Sequence, residues 1–97
     1  MRLHRFKEAK SLLRKTMPVA RRVLGESHEL TLKMRWIYAE TLYKEDNATL
    51  DDLREAVTTG EEIERIARRV FGGAHPLAVD IERSLHNSRA RLAAQPV

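Results

Sequence analysis

This chain contains no cysteine and few aromatic residues, with one Trp, two Tyr and two Phe in 97 positions. The lack of cysteine excludes a disulfide framework, a thiol nucleophile and a cysteine-based zinc site, and it fits a reducing compartment. No apolar run reaches the length of a signal-peptide core or a membrane span. We therefore expect a cytoplasmic protein that does not cross a membrane, folded as a single domain over residues 1–97, in which an enzyme cleft would be cramped.

What the sequence does contain is one unit that occurs twice. The segment Ala20–His28 (ARRVLGESH) returns 47 positions later as Ala67–His75 (ARRVFGGAH), and ten of thirty positions are identical when residues 3–32 are placed on 50–79. In each copy two arginines precede a glycine, and a histidine follows after two intervening residues. This pattern predicts a glycine-capped helix end and a new helix opened by the histidine, so that successive helices are antiparallel neighbours. Self-similarity at a fixed period is typical of stacked repeats.

Apolar residues recur at intervals of three and four through most of the chain, and no segment has the pattern of a strand. The sequence therefore predicts an all-α fold in which antiparallel helix-turn-helix repeats stack as a short α-solenoid. The predicted helices cover about residues 3–24, 28–45, 50–71 and 76–93. Pro18 lies inside the first helix, where it predicts a bend or a short break near Thr16 and Met17.

The third helix carries two further local signals. Thr49, followed three residues later by Asp52, is typical of an N-cap with an acidic partner in the first turn. Gly60 falls on the apolar side of this helix, at a cost of roughly 1 kcal/mol relative to alanine. Either a ring of the second helix, such as Trp36 or Tyr38, fills the space beside this glycine, or the glycine is a local weakness; we expect the ring.

The formal charge of +4 is distributed unevenly along the chain. Residues 1–24 carry eight Lys or Arg against one acidic residue, Glu8, whereas residues 44–66 carry eight Asp or Glu against three basic residues. The basic helix could attract nucleic acid or an acidic peptide, and it could equally attract an acidic helix of its own or of a second copy. A solvated or mutually neutralised face is the simplest interpretation of both segments.

Three motifs point to a known family. The connector Arg22–His28 (RVLGESH), the segment Phe6–Ala9 (FKEA) and the pair Tyr38-Ala39 resemble the tetratricopeptide repeats of the kinesin light chain type, and the resemblance covers nearly the whole chain. It implies repeats of about 42 residues, so the extra length of the present unit is expected in the loop from Glu45 to Thr49.

The resemblance also implies a protein-interaction module that holds a peptide on a concave surface lined by the first helix of each pair. The sequence departs from the family where an asparagine pair often grips peptide backbone, since Trp36-Ile37 and Arg83-Ser84 stand there. By the same comparison the chain begins with a second-type helix and ends with a first-type helix. Two exposed end faces would result, and they invite continuation in a longer repeat array or pairing between copies.

Candidate sites follow from which residues share a helix face. Partner contact is predicted for residues that advance by three or four along the second and fourth helices: Lys33, Trp36, Glu40, Tyr43, Arg83, Asn87 and Arg91. For the two rings among them, packing between helices is an equally good interpretation. An alternative basic face on the first helix comprises Arg2, Arg5, Lys7, Lys10, Arg14 and Lys15.

No residue pattern predicts a metal, a cofactor or catalysis. His75 and His86 could share one side of a helix, but three turns, roughly 16 Å, separate them. His28 and His75 are better explained as connector residues that bond neighbouring backbone. The run Glu61-Glu62-Ile63-Glu64 is interpreted as a solvated face. The predicted function is that of a non-enzymatic scaffold that binds a protein or peptide or associates with itself, with nucleic-acid binding by the basic helix as the alternative.

Overall fold

A computed structural model describes the backbone of residues 2–96 and the side chains of residues 6–96. Four helices account for most of it: α1 (Arg2–Val23), α2 (Glu29–Tyr43), α3 (Leu50–Phe71) and α4 (Pro76–Ala93). No strand occurs in this described part of the chain, which confirms the all-α fold class. The helices begin and end within about two residues of the positions that the periodicity predicts.

Each helix packs against the next one along the chain, and α2 also contacts α4. Two apolar clusters hold the stack together. One, which joins α2 to α3 and α4, consists of Leu32, Ile63, Ala67, Leu77, Ala78 and Ile81. The other, against which Leu13 and Met17 of α1 pack, consists of Tyr38, Ala39, Leu42, Tyr43, Leu53 and Ala56. Helix α2 contributes to both clusters, as expected of an inner helix in a row.

The two connectors have the same geometry. Gly25 and Gly72 adopt φ angles of 97° and 88°, in the left-handed region that a side chain disfavours. His28 and His75 are the N-caps of α2 and α4, and the Nδ1 atom of each accepts a hydrogen bond from the amide two residues further on, at 3.0 and 3.1 Å. The predicted role of these histidines is confirmed, and the repeated sequence unit is a repeated structural unit.

Helix α3 begins with a capping box. The Thr49 side chain accepts from the amide of Asp52 at 3.0 Å, and the Asp52 carboxylate accepts from the amide of Thr49 at 3.1 Å. The two amides, which have no carbonyl partner within the helix, thereby each gain a hydrogen-bond acceptor. The short signal in the sequence was sufficient to place this helix start.

Two local expectations differ from the structure. Helix α1 is continuous across Pro18, so the predicted break near Thr16 and Met17 is absent, and a bend there stays a prediction. The space that a Cβ of residue 60 would enter is taken by Leu85 of α4 and not by a ring of α2, since the three nearest heavy atoms all belong to Leu85 and its Cδ1 would lie 3.0 Å away. The glycine permits close approach of α4 instead of packing of an aromatic ring.

Candidate interaction surfaces

The predicted partner-binding residues lie on α2 and α4, which contact each other along one side of the stack. Lys33 is exposed and its ammonium lies 3.1 Å from Glu29 one turn earlier. Arg83 and Asn87 are exposed on α4. Glu40 is half-buried and its carboxylate lies 3.2 Å from the Lys44 ammonium. These side chains leave a polar surface on which a partner could form ion pairs and hydrogen bonds.

The other three predicted residues serve the fold. Trp36 is half-buried against the apolar cluster of α2, α3 and α4, and Tyr43 is buried. The Arg91 guanidinium donates to the backbone carbonyls of Tyr43 and Asp46, which end α2 and lie in the following loop. Packing is therefore the main role of both rings, and Arg91 fastens α4 to the end of α2.

The alternative basic face lies on α1. Lys7, Lys10, Arg14 and Lys15, with Ser11, line a depression of about 290 Å³. The side chains of Arg2 and Arg5 lie outside the described side chains. Arg14 is already used within the fold, because its Nε donates to the Tyr38 hydroxyl at 3.2 Å.

Tyr38 in turn donates to the Glu55 carboxylate at 2.7 Å, so that one chain of hydrogen bonds joins α1, α2 and α3. Burial raises the pKa of the Tyr38 phenol, although the hydrogen bond from Arg14 acts in the opposite sense. The hydrogen bond to Tyr38 raises the pKa of the Arg14 guanidinium. Arg14 is consequently a less available contact for a partner than Lys7 or Lys15.

Arg35 is a structural residue that the sequence patterns did not single out. Arg35 is only 6% exposed, although it is charged and most of the residues around it on α2 are apolar. Its guanidinium lies 2.7 Å from Glu62 of α3 and 3.5 Å from Glu26 of the first connector. The hydrogen bond from Arg35 lowers the pKa of the Glu62 carboxyl. The only available signal in the sequence was a charged residue within a helix that is apolar on most of its circumference.

One end of the stack exposes apolar side chains on α1. Leu12 is 62% and Val19 47% exposed, and Val23 is also exposed. These residues, with Lys15, follow one another at intervals of three and four on the side of α1 away from Leu13 and Met17, which pack inwards. We call Leu12, Lys15, Val19 and Val23 the outer face of α1.

The other end of the stack contains a groove of about 930 Å³ between α3 and α4. We call it the α3–α4 groove, and it is lined by Glu61, Glu64, Arg65, Arg68, Val79, Glu82, Arg83, Leu85, His86 and Arg89. Ion pairs cross it, since the Arg68 guanidinium lies 3.5 Å from Glu82 and that of Arg89 lies 2.9 Å from Glu61. Glu61 and Glu64, interpreted from the sequence as part of a solvated face, therefore line a concave surface of mixed charge.

Neither a metal cluster nor a membrane segment is found in the described region. Among side chains 6–96, no three His, Asp or Glu residues come together in a way that could hold a metal ion. The helices of the described chain are all too short or too polar to cross a bilayer.

Comparison with known proteins supports the interpretation of the connectors. Residues 1–29, which include α1, the first connector and the first residue of α2, match a family model described as Tetratricopeptide repeat. Neither the curated proteins nor the solved structures that were searched gave a match. The kinesin light chain subtype suggested by Arg22–His28 is consistent with the family match. Residues 1–29 are therefore similar to a tetratricopeptide repeat, and the four stacked helices form an all-α helical-repeat architecture.

Proposed function

We propose that this chain is a non-enzymatic protein-interaction module that acts through the unpartnered faces at the two ends of its helix row. The observation that carries the proposal is the outer face of α1, where Leu12 and Val19 are large, apolar and exposed. Apolar side chains grouped in this way on an otherwise charged surface mark interaction sites. Tetratricopeptide repeats as a class bind proteins, which agrees with this role.

A second binding surface on the same module is the polar side of α2 and α4. Its accessible members are Lys33, Asn87 and Arg83, of which Arg83 also lines the α3–α4 groove, and they could pair with a peptide carboxylate or bond to peptide backbone. This surface would bind an extended or helical peptide, whereas the end faces would bind a helix of another chain. The cytoplasmic location expected from the sequence, and a role as a scaffold, belong to this proposal and stay predictions.

The first test is the molar mass by light scattering across a dilution series, at low and at high salt. A species larger than a monomer that persists in high salt supports association through apolar end faces, and the substitution Leu12→Glu should abolish it. Dissociation by salt alone would assign the contact to the basic and acidic helices, because surface ion pairs are screened by salt. A monomer under every condition would contradict self-association.

The peptide-binding surface needs its own test. Selection from a random peptide library should enrich sequences that bind the wild-type chain and that lose binding to a Lys33→Ala, Arg83→Ala double variant. Leu12→Glu serves as the control, since it lies at the end face and should leave peptide binding intact. A failed selection together with a monomeric chain would contradict the proposed function as a whole.

Nucleic-acid binding remains the second candidate, and the basic depression on α1 favours it. Lys7, Lys10 and Lys15 lie around one concavity, as needed to follow a phosphate backbone. Such binding should weaken steeply with salt, and replacing two of these lysines by alanine should lower the salt dependence. Affinity that does not change with salt would contradict it.

A further inference from the structure

The side of α4 that lines the α3–α4 groove corresponds to a side of α2 that another helix already covers. Its six α4 residues, Val79, Glu82, Arg83, Leu85, His86 and Arg89, each lie 47 positions after an α2 residue that is buried or half-buried. Those α2 residues are Leu32, Arg35, Trp36, Tyr38, Ala39 and Leu42. Because the two connectors share one geometry, α2 and α4 are equivalent in structure as well as in sequence.

Helix α3 covers the side of α2 that these six residues form. Arg35 pairs with Glu62, and Tyr38 donates to Glu55. The apolar α2 residues of the set share clusters with α3 side chains such as Ile63. The groove therefore has the shape of a place for one more helix, packed on α4 as α3 packs on α2.

In the repeated unit, α1 is the equivalent of α3. The side of α1 that corresponds to the α2-facing side of α3 is exposed. Lys15 and Val19 lie 47 positions before Glu62 and Ile66. Glu62 pairs with Arg35, and Ile66 packs against the cluster that contains Leu32. The corresponding Lys15 and Val19 instead belong to the outer face of α1. The described helices thus present a vacant groove at one end and a matching helix at the other.

The charges at the two ends are complementary. We propose that the outer face of α1 in one copy packs into the α3–α4 groove of a second copy, where Lys15 pairs with Glu82 and Val19 contacts Val79. This contact repeats the internal pair of Arg35 and Glu62 with both signs reversed, so that it remains attractive. It rests on the proposed function, and it names the partner as a second copy of this chain.

Two further positions of the junction are compatible with this placement. Trp36 packs against the cluster that contains Ile63, so the equivalence sets Arg83 opposite Thr16 of the second copy. Leu42 and Ala56 share a cluster, so it sets Arg89 opposite Ala9. No like charges meet at these positions. Val79 is 38% exposed and so available to an incoming apolar side chain.

The contact is head-to-tail, so each added copy exposes the same groove again. The four helices span two periods of the alternation between the two helix types, and that alternation continues from α4 to α1 of the next copy. An interface of this kind, which joins different surfaces, gives rings where the rotation closes and open chains where it does not.

Charge reversal at the junction tests the proposal. Lys15→Glu and Glu82→Lys should each weaken self-association by about tenfold or more, and the double variant should restore it to within roughly threefold of wild type. The readout is sedimentation velocity across a dilution series. Lys44→Glu is the matched control for Lys15→Glu, because it changes the net charge equally at an exposed site outside the junction, and it should leave self-association unchanged.

The absence of cysteine permits a second test on the same pair. A chain carrying Lys15→Cys, mixed with a chain carrying Glu82→Cys and treated with a short bis-maleimide, should give a cross-linked dimer. Either variant alone should give none, since the two positions meet only between unlike ends. A mixture of Lys33→Cys and Glu82→Cys chains is the control for random collision.

Three outcomes would overturn the head-to-tail contact. The first is an oligomer indifferent to both charge reversals, and the second is cross-linking in which each single variant forms dimers as readily as the mixture. The third is a monomeric wild-type chain that still binds selected peptides, which would leave the proposed function standing. A monomeric chain without peptide binding would remove both.

Discussion

At the scale of single residues, Arg35 joins three separate parts of the chain. Its guanidinium lies on α2, between Glu62 on α3 and Glu26 in the first connector. A buried cation of this kind is tolerated because the planar guanidinium can bond two carboxylates at once while its stem packs among apolar groups. Both carboxylates remain partly exposed, so that solvent screens the attraction and limits its contribution to stability.

Replacing Arg35 by methionine should lower the free energy of unfolding at pH 7 by about 1–2 kcal/mol, because the charged hydrogen bond to Glu62 and the ion pair with Glu26 are lost while most packing is kept. The effect should depend on pH. The folded-state pKa of Glu62 is lowered, so its contribution is present above the unfolded carboxyl's value of about 4.3 and is lost as the pH falls through the lowered pKa. The difference between the urea midpoints of wild type and Arg35→Met should therefore be smaller at pH 3 than at pH 7.

Lys33→Met is the matched control, since Lys33 is exposed and pairs only with Glu29 across one helical turn. It should change stability by no more than about 0.5 kcal/mol at either pH. An equal difference between wild type and Arg35→Met at pH 7 and pH 3 would show that packing, and not the ion pair with Glu62, carries the effect.

Gly60 shows the limit of interpretation from one sequence. Its place on the apolar side of α3 predicted that a ring of α2 fills the space beside it, and a side chain does fill that space. The partner was predicted wrongly, because a periodic pattern states which side of a helix faces inwards and not which of two neighbouring helices it faces. Leu85 of α4 takes the space instead of a ring of α2.

At the scale of helices, the sequence was most informative where the signals are local. Thr49 with Asp52 placed the start of α3, and Gly25 and Gly72 placed two connectors, since caps and left-handed turns depend on a few adjacent residues. The burial of Arg35 and the roles of the predicted binding residues depend on contacts between helices. No property of a single helix determines them, so Tyr43 could not be assigned to packing before the stack was known.

Because a histidine cap occurs in both connectors, its contribution to stability can be measured by comparing variants of the two. His75→Ala should lower the free energy of unfolding by about 1–2 kcal/mol, because the acceptor for the Leu77 amide is lost together with the ring stacked on Phe71 at 4.7 Å. His75→Asn should lose less, since its side-chain oxygen can still accept the same bond. Thermal or urea unfolding measures both.

His28→Ala is the matched variant in the first connector. The cap is present there, and the residue four positions before the histidine is Leu24, where the second connector has Phe71. The excess loss in His75→Ala over His28→Ala then measures the ring stack. If His75→Asn proved as damaging as His75→Ala, the hydrogen bond to the Leu77 amide would not be the source of the stabilisation.

At the scale of the whole molecule, the stack extends 36 × 26 × 21 Å, and its two ends differ in character. The outer face of α1 is apolar around one lysine, whereas the α3–α4 groove carries mixed charge with Glu82 at the matching position. A row of helices that buries little surface at its ends gains stability when another helix covers them. The proposed contact therefore links association to folding stability.

That link gives a prediction that needs no labelled or modified protein. A partner that binds only the folded chain stabilises it by mass action, by about 2.7 kcal/mol when its concentration is a hundred times the dissociation constant. The Tm of the wild-type chain should therefore rise with chain concentration, as calorimetry over a hundredfold range can measure. In Lys15→Glu the Tm should rise less over the same range, and adding Glu82→Lys to it should bring the full dependence back. A wild-type Tm that does not change with concentration would mean that the two ends do not meet in solution.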